Sequence, residues 1–393
     1  MKKTVIVEAK RTAVGAFQGA LSPLSAPELG SIVIKNLIEK TKLDGKHVNE
    51  VIMGNVLTAG IGQAPARQAA IFGGLPVSVE CMTINKVCGS GLKSVMLADQ
   101  AIKCGDADVI IAGGMESMSN VPYLLPKARS GYRLGHGEVL DSLVKDGLWD
   151  VYNNIHMGSC AESCARDFHF TREEIDEFSI NSYKRANEAN RKGVFNDEIV
   201  PVTIKNRRGE VVVNEDEEIS KVNYEKIPKL RPAFEKDGIV TAANSSKIND
   251  GAAAVLVMSE EKALELGLKP LFEIVAQASA AKQPIEFTTA PADAIKKVLN
   301  KANLKLEDID LFEINEAFAV VSLAVNKILG LTTEKVNVNG GAVAIGHPIG
   351  ASGARILVTL LHEMLKRNST YGLASLCIGG GEAASLIVKK YQN

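Results

Sequence analysis

The feature that most constrains the fold is an internal repeat, in which the second part of the chain reproduces the order of the first. Three landmarks recur, separated by 260, 262 and 266 residues: an apolar run that ends in asparagine, a Ser-Gly pair that opens a helix, and a Gly-Gly pair after a strand. They lie at residues 48–55 and 308–315, at 90–91 and 352–353, and at 113–114 and 379–380. A constant order and a nearly constant spacing predict two copies of one α/β unit. The alternative is that any two α/β units share this order of strands, glycines and helices without being copies of each other.

Local patterns in the first copy support the α/β class. Residues 4–9, 50–53 and 108–112 are short runs rich in valine and isoleucine, which are typical of buried strands. Ser25 and Glu28 have the spacing of a capping box and predict that a helix follows Ser25. Strands and helices that alternate in this way indicate helices packed on a sheet.

A segment of different composition interrupts the first copy. The chain of 393 residues is longer than a single core supports, and its middle part is charged, aromatic and irregular. We therefore expect a first half made of residues 1–118 and 248–269, an inserted loop domain at 119–247, and a second half at 270–393.

The balance of charges excludes several classes of partner. The chain has 45 basic and 46 acidic residues, so its net charge of -1 provides no broad field for nucleic acid or an anionic membrane.

The N-terminal apolar run breaks at Glu8, which argues against a signal peptide, and no apolar stretch approaches the length of a membrane span. Six thinly spread cysteines are typical of a reducing compartment. We expect a cytoplasmic location.

Cys88 is a candidate nucleophile. It lies in a run with glycines at positions 89 and 91, just before a predicted helix. The amide groups and the dipole at a helix N-terminus favour a thiolate, which is the nucleophilic form of cysteine. The alternative is an inert buried cysteine.

His347 is a candidate proton acceptor. It follows a Gly-rich loop and precedes a predicted helix, whose apolar face is marked at helical spacing by Leu357, Leu360, Leu361 and Met364. An imidazole in a stiff loop before a helix is suited to acid–base chemistry, although a histidine next to proline also serves as a turn residue.

Cys377 lies at the end of a predicted strand and is followed, after Ile378, by three glycines that begin with Gly379. Consecutive glycines at that point can expose backbone amides as an oxyanion hole. The alternative is a core cysteine before a tight turn. Neither a Walker motif nor a complete dinucleotide fingerprint follows any predicted strand, which argues against nucleotide hydrolysis and dinucleotide binding.

One further cluster suggests a metal site. His156, Cys160 and Cys164 share one face if the segment is helical. The same spacing describes ordinary packing, and no fourth ligand is evident, so we expect no metal.

Four of these positions, each in its own motif, resemble the thiolase family over essentially the whole chain: Cys88, Asn315, His347 and Cys377. The matching runs are Asn-Glu-Ala-Phe at 315–318, Gly-His-Pro-Ile-Gly at 346–350 and Cys-Ile-Gly-Gly-Gly at 377–381. The resemblance implies the thiolase fold, an α/β fold of two similar halves in five α-β-α-β-α layers with a loop domain inserted in the first half. The length of the chain and the sequences of these motifs are most similar to those of the bacterial acetyl-CoA acetyltransferases.

The resemblance implies a reversible Claisen condensation of two acetyl-CoA molecules to acetoacetyl-CoA and CoA through an acyl group on Cys88. His347 would take the Cys88 proton, and Cys377 would remove a proton from the methyl carbon of the second acetyl-CoA. Amides of Cys88 and Gly379 would bind the oxygen of the acylated thioester. His347 and a water held by Asn315 would stabilise the enolate.

The resemblance also implies where CoA binds. The positions that match the family's pantetheine and adenine contacts are Leu148, His156, Ala243, Ser246, Ala317 and Phe318. Lys221, Arg207 and Arg208 are candidates for phosphate contacts, although a solvated charged face is the alternative for each.

The implied partners are acetyl-CoA, acetoacetyl-CoA and CoA, with no prosthetic group, no nucleic acid and no membrane. The implied assembly is a homotetramer, a dimer of dimers joined through the inserted loops. Two alternatives stay open. One is a degradative 3-ketoacyl-CoA thiolase with a roomier acyl pocket, and the other is a thiolase-like protein that binds CoA without catalysis.

Overall fold

Strands and helices alternate in the first and last parts of the chain, whereas short strands follow one another in the segment between them. The computed structural model describes residues 2–206 and 209–392. The strands are β1 (Thr4–Thr12), β2 (Gly15–Ala16), β3 (Glu50–Gly54), β4 (Glu80–Ile84), β5 (Val109–Ser117), β6 (Tyr123–Leu124), β7 (Leu140–Asp141), β8 (Trp149–Asp150), β9 (Ile155–His156), β10 (Ile199–Val200), β11 (Val202–Asn206), β12 (Gly209–Val213), β13 (Asn249–Ser259), β14 (Phe272–Ala281), β15 (Leu311–Ile314), β16 (Tyr371–Ile378) and β17 (Glu382–Lys390). The helices are α1 (Ala26–Thr41), α2 (Pro65–Phe72), α3 (Ser90–Cys104), α4 (Met157–Asp167), α5 (Arg172–Arg191), α6 (Glu260–Glu265), α7 (Ala290–Ala302), α8 (Ala319–Leu329), α9 (Ala342–Ile345) and α10 (Ile349–Arg367).

The long strands form one mixed sheet in the order β15-β16-β17-β14-β1-β13-β5-β3-β4. Within the first half β3 pairs in parallel with β4 and β5, and within the second half β15 pairs in parallel with β16. The halves meet between β1 and β14, where Val5 pairs with Glu273 and Ile6 with Phe272. The same strand order therefore runs outward from this junction in both directions, as a repeat requires.

The fold has five layers, because one layer of helices lies between the strands of the two halves and further helices cover the outer faces. Helices α3 and α10 contact each other and strands of both halves, so they form the middle layer. Helices α1 and α2 cover the outer face of the first half, and α7 covers that of the second. The middle helices contribute fully buried side chains such as Leu92 and Leu357, each of which stabilises the fold by about 1.5–3 kcal/mol. The five-layered α/β arrangement predicted from the sequence is confirmed.

The contact between α3 and α10 explains one landmark of the repeat. A Cβ atom on Gly91 would lie 2.7 Å from the backbone nitrogen of Ala354, and one on Gly353 would lie 2.3 Å from that of Leu92. Each helix therefore needs glycine where it crosses the other, because no side chain fits between the two backbones.

The prediction that the two Gly-Gly pairs are equivalent positions of the repeat is wrong. Gly113 and Gly114 lie inside β5 and pair with Ala254 and Ala253, whereas Gly379 and Gly380 follow the end of β16. Strands β5 and β16 are themselves equivalent, since each follows a middle helix. The two glycine pairs thus occupy different places in the two halves.

The segment between β5 and β13 has its own small elements, including α4, α5 and the hairpin of β11 and β12. Helix α5 packs on α8 and α9, which ties this segment to the second half. Arg207 and Arg208, predicted to contact phosphate, lie outside the described residues. Among residues 2–206 and 209–392, no helix combines the length and apolar composition that a membrane span requires.

Candidate active site

A cavity of about 390 Å³ is lined by residues of both halves and of the inserted segment. Most of its wall is apolar. The ionisable groups on the wall are Cys88, His156, Glu218, Lys247 and His347. A mostly apolar cavity with a few converging polar groups is the usual form of a small-molecule site.

Cys88 stands on a strained turn that precedes α3. Val87 has a φ of 46°, which is unusual for a β-branched residue and costs about 1–3 kcal/mol. Three hydrogen bonds hold the turn: Val87 N–H donates to Asn85 Oδ1 at 2.9 Å, Lys86 N–H to Ser90 Oγ at 2.8 Å, and Ser90 Oγ to the Val87 carbonyl at 2.7 Å. Strain retained by local bonds is typical of a functional position.

The Cys88 thiol is protonated at rest. Burial raises the pKa of Cys88 to about 11, and the charge of Glu116 raises it further. The backbone N–H groups of Gly379 and of Cys88 itself lower the pKa without offsetting burial. The amides at the helix N-terminus therefore favour the thiolate, as predicted, but burial outweighs them. The same two amides are, however, those predicted to bind the acyl oxygen.

His347 is held so that one ring nitrogen stays free. The preceding Gly346 has a φ of 119°, and His347 N–H donates to Asn249 Oδ1 at 2.9 Å. The ring Nδ1 lies 2.5 Å from Ser352 Oγ, and that hydroxyl donates its proton to the Pro348 carbonyl at 2.9 Å. Ser352 must then accept from Nδ1–H, which leaves Nε2 unprotonated and able to take a proton.

The environment keeps His347 neutral. The side chain is buried, and burial together with the positive charge of Arg355 lowers the pKa of His347 to about 3. A neutral imidazole on the wall of the cavity is suited to accept a proton from Cys88.

Cys377 is the second thiol of the site. It is fully buried next to the end of β16, where it pairs with Ala383 of β17. Burial raises its pKa well above the ordinary value, and ionisation of Cys88 or Cys164 would raise it further. Ionisation of one thiol of the site therefore opposes ionisation of the other.

Asn315 directly follows β15 and is buried. Its Oδ1 lies 3.5 Å from Nη2 of Arg355, while its Nδ2 has no hydrogen-bond partner among the described residues. An unpaired buried donor is costly, and a bound water or substrate oxygen would satisfy it.

The cavity contains most of the predicted site residues. Those on its wall are Cys88, Leu148, His156, Ser246, Ala317, Phe318, His347 and Gly379. Ala243 is buried in the loop beside Ser246 and does not line the cavity. Lys221 is half exposed, lies outside the cavity wall and pairs with Glu217 at 2.9 Å, and its predicted contact with phosphate stays a prediction.

The three residues considered as metal ligands do not converge. His156 caps α4 by accepting from Gly158 N–H at 3.0 Å, whereas Cys160 faces Asp150 at 3.7 Å. Within residues 2–206 and 209–392, no group of three or more candidate ligands has the geometry to hold a metal ion.

Several residues that build the pocket are not marked by any pattern in the sequence. Phe234 stacks on the ring of His156 with centroids 4.8 Å apart, and its edge meets Phe318 at 6.0 Å. No local motif marks Phe234, because its contacts come from distant segments. Ser352 could have been identified, since it lies one turn into the helix that follows His347.

Comparisons with known proteins agree over the whole chain. Models of the thiolase N-terminal domain and C-terminal domain match residues 4–261 and 268–390. An acetyl-CoA acetyltransferase of Pseudomonas aeruginosa is 54% identical over 99% of this chain and 100% of its own length. The acetyl-CoA acetyltransferase structure of Bacillus anthracis has a TM-score of 0.97 at 44% identity, covering 100% of this chain and 99% of that one. A thiolase of Ascaris suum in complex with coenzyme A has a TM-score of 0.95 at 45% identity, covering 99% and 100%. The chain therefore belongs to the thiolase family.

Proposed function

We propose that the protein is an acetyl-CoA C-acetyltransferase, which condenses two acetyl-CoA molecules reversibly to acetoacetyl-CoA and CoA. The observation that carries this proposal is one cavity in which Cys88, the free Nε2 face of His347 and the amide of Gly379 meet, with Cys377 close by. The acetyl-CoA acetyltransferases that resemble the chain over its full length support the same substrate.

In the first half-reaction, His347 Nε2 takes the Cys88 proton as the sulfur attacks the carbonyl of acetyl-CoA. The amides of Cys88 and Gly379 stabilise the negative oxygen that develops there. The thioester C–S bond then breaks, and the proton on His347 passes to the departing sulfur of CoA. The acetyl group remains on Cys88, and His347 is neutral again.

In the second half-reaction, Cys377 passes its proton to His347 and the resulting thiolate removes a methyl proton from the second acetyl-CoA. The protonated Nε2 and a water held by Asn315 Nδ2 stabilise the enolate oxygen. The enolate attacks the acetyl group on Cys88 and releases the Cys88 sulfur, which regains a proton from His347. Both thiols end protonated, so the cycle closes.

The walls of the cavity suit the pantetheine arm of CoA. Leu148, Phe234 and Phe318 offer apolar surface, and Ser246 offers a hydroxyl. The related Ascaris suum thiolase forms a complex with coenzyme A, which supports CoA as the ligand. CoA acts as a substrate, and the mechanism requires no prosthetic group.

The inserted segment 119–247 is proposed as the domain that completes the CoA site and joins subunits into a homotetramer. Two exposed apolar regions support an assembly. The edge strand β4 and its surroundings expose Phe72 and Val77, and the loop between β6 and β7 exposes Leu134 completely. Unpaired edge strands and exposed apolar patches are typical of interfaces. The six cysteines are free, which fits the proposed cytoplasmic location.

The test is CoA-dependent thiolysis of acetoacetyl-CoA beside a medium-chain 3-ketoacyl-CoA, with the wild type and Cys88→Ser at equal concentration. We expect the wild type to cleave acetoacetyl-CoA and the variant to be inactive. Faster cleavage of the longer substrate would instead make the protein a degradative thiolase. Inactivity on both substrates, without an acyl group on Cys88, would make it a CoA-binding protein.

A further inference from the structure

One turn of α10 contacts both groups that face the enolate. Ser352 and Arg355 are three residues apart and lie on the same side of the helix. Ser352 binds Nδ1 of His347, and Arg355 approaches Oδ1 of Asn315. Ser352 determines the tautomer of His347, whereas Arg355 has no role in the proposed reaction.

Arg355 is a buried cation, and its side chain is 2% exposed. Its Nη2 lies 3.5 Å from Asn315 Oδ1 and its Nη1 lies 4.0 Å from Glu313. Among the described residues, Nε and Nη1 have no hydrogen-bond partner. A guanidinium kept in the core with so few bonds is expensive, so hydrogen bonding within the fold does not explain why it is there.

The contact with Asn315 determines which end of that amide is free. An amide has one accepting and one donating end. Because the guanidinium can only donate, it must face Oδ1, and Nδ2 is left as the free end. The unpaired state of Nδ2 agrees with this orientation.

Other charges near Arg355 are already engaged. The charged groups that affect it include Glu313, Arg11, Asp216, Glu198 and Glu316. Arg11 holds Glu198 at 2.6 Å and Asp216 at 2.7 Å, so Glu313 remains as the acid that pairs with Arg355, although burial raises the pKa of Glu313 to about 8. Arg355 is also the charged group that lowers the pKa of His347 in addition to burial.

We propose that Arg355 is a positioning residue for the condensation step, which fixes the Asn315 amide through Oδ1 so that Nδ2 donates toward the enolate oxygen. Its charge has a second effect, since it opposes protonation of the nearby imidazole before substrate arrives. This inference rests on the proposed function, because an enolate forms only if the protein condenses acyl groups.

The variants must separate this role from a structural one. Removal of Arg355 alone would leave Glu313 buried without a counter-ion, so the neutral pair Arg355→Met/Glu313→Gln is compared with Glu313→Gln alone. Arg355→Lys keeps a charge but loses the planar donor at Nη2. Arg367→Met, an exposed arginine near the end of the same helix, is the matched control.

Two rates are measured for each variant: acetyl transfer from acetyl-CoA to Cys88, followed by mass spectrometry, and steady-state condensation to acetoacetyl-CoA. We expect acetyl transfer within about threefold of wild type, because that step does not use Asn315. Condensation should fall about 100-fold in the neutral pair and about tenfold in Arg355→Lys, as for loss of a well-oriented donor. Glu313→Gln and Arg367→Met should stay within about threefold in both rates.

The pH dependence of acetyl transfer provides a second readout. Removal of the Arg355 charge should move the acid limb of this rate to higher pH in the neutral pair, and not in Glu313→Gln or Arg367→Met. Equal losses in both rates, or unchanged condensation in the neutral pair, would overturn the proposal. Failure of the wild type to form acyl-Cys88 would instead overturn the proposed function itself.

Discussion

The two halves of the molecule have the same fold and very different chemistry. In the first half the proposed nucleophile is Cys88, on the turn before the middle helix α3. In the second half the strand ends and the loop before α10 supply Asn315, His347 and Cys377. Cys88 of the first half and His347 of the second meet on the wall of one cavity, and the middle helices of the two halves pack against each other. The duplicated fold thus provides two surfaces that face each other. The loops differ between the halves, so that one half carries the proposed nucleophile and the other carries the groups proposed for proton transfer.

The paired asparagines show how this difference arises. Asn55 follows β3 as Asn315 follows β15. Nδ2 of Asn55 donates to Glu116 at 2.6 Å and to the Met115 carbonyl at 3.3 Å, whereas Nδ2 of Asn315 has no partner among the described residues. The same residue at the same place is structural in one half and available for chemistry in the other, depending on whether a neighbour uses its donor.

The largest expected effect concerns the division of work between the two thiols. Cys88→Ser should lose acetyl transfer and thiolysis by about 10³-fold or more, because the nucleophile is gone. Cys377→Ala should keep acetyl transfer to Cys88 but lose condensation to a similar extent, because no base remains to form the enolate. Mass spectrometry of the acyl-enzyme and steady-state assays measure the two steps.

The control for both thiols is Cys104→Ser, an exposed cysteine at the far end of α3. It should match the wild type in both assays. Retained condensation in Cys377→Ala would contradict the assignment of the base to the second half.

Exchanging the two asparagines for alanine tests their contrast directly. Asn315→Ala should lower the rate of condensation about 100-fold, since its donor acts on the enolate through water, and it should also lower stability because the buried Arg355 loses its contact with Oδ1. Asn55→Ala should lower only the free energy of unfolding, by about 1–3 kcal/mol, because the buried Glu116 loses a donor. Urea titration and kcat of both variants distinguish these outcomes. Equal effects of the two variants on kcat would remove the contrast.

The glycines at the crossing of the middle helices should behave alike in both halves. Gly91→Val and Gly353→Val each place a side chain against a backbone that lies within 3 Å of the new Cβ. Overpacking of this kind should lower the free energy of unfolding by about 1–3 kcal/mol or prevent folding. Thermal unfolding measures the loss, and Gly105→Ala, with open space around it but a φ of 89°, should cost less. A stable Gly353→Val would mean that the helices separate easily.

Much of the fold was visible in the sequence because it depends on local patterns. Ser25 and Glu28 form the predicted capping box at the start of α1, and the repeat predicted the two halves. The third landmark, the Gly-Gly pair, was wrong because two consecutive glycines can lie inside a strand as well as after one. The spacing of Glu217 and Lys221, four residues apart, also predicts the surface ion pair that they form.

The site was predictable in its parts but not in its electrostatics. Motifs identified Cys88, His347 and Gly379, which the cavity brings together. The direction of the Cys88 pKa was missed because burial by distant segments outweighs the local amides. Arg355 was missed for the same reason, since its contact with Asn315 joins residues 40 positions apart.

The smallest expected effect is the pH dependence of acetyl transfer, which reports on the contact between the halves. Burial raises the pKa of Cys88 to about 11, and burial with the Arg355 charge lowers that of His347 to about 3. Thiol and neutral imidazole, the reactive pair, therefore coexist throughout the range between those values. In separate solvated halves, His347 would gain a proton near pH 6.5 and Cys88 would lose one near pH 8.5. The single-turnover rate of Cys88 acetylation should stay within about twofold from pH 6 to pH 9, because neither group changes its charge there. An acid limb with a midpoint near pH 6.5 would show that water reaches the imidazole and that the halves close the site less tightly than their packing indicates.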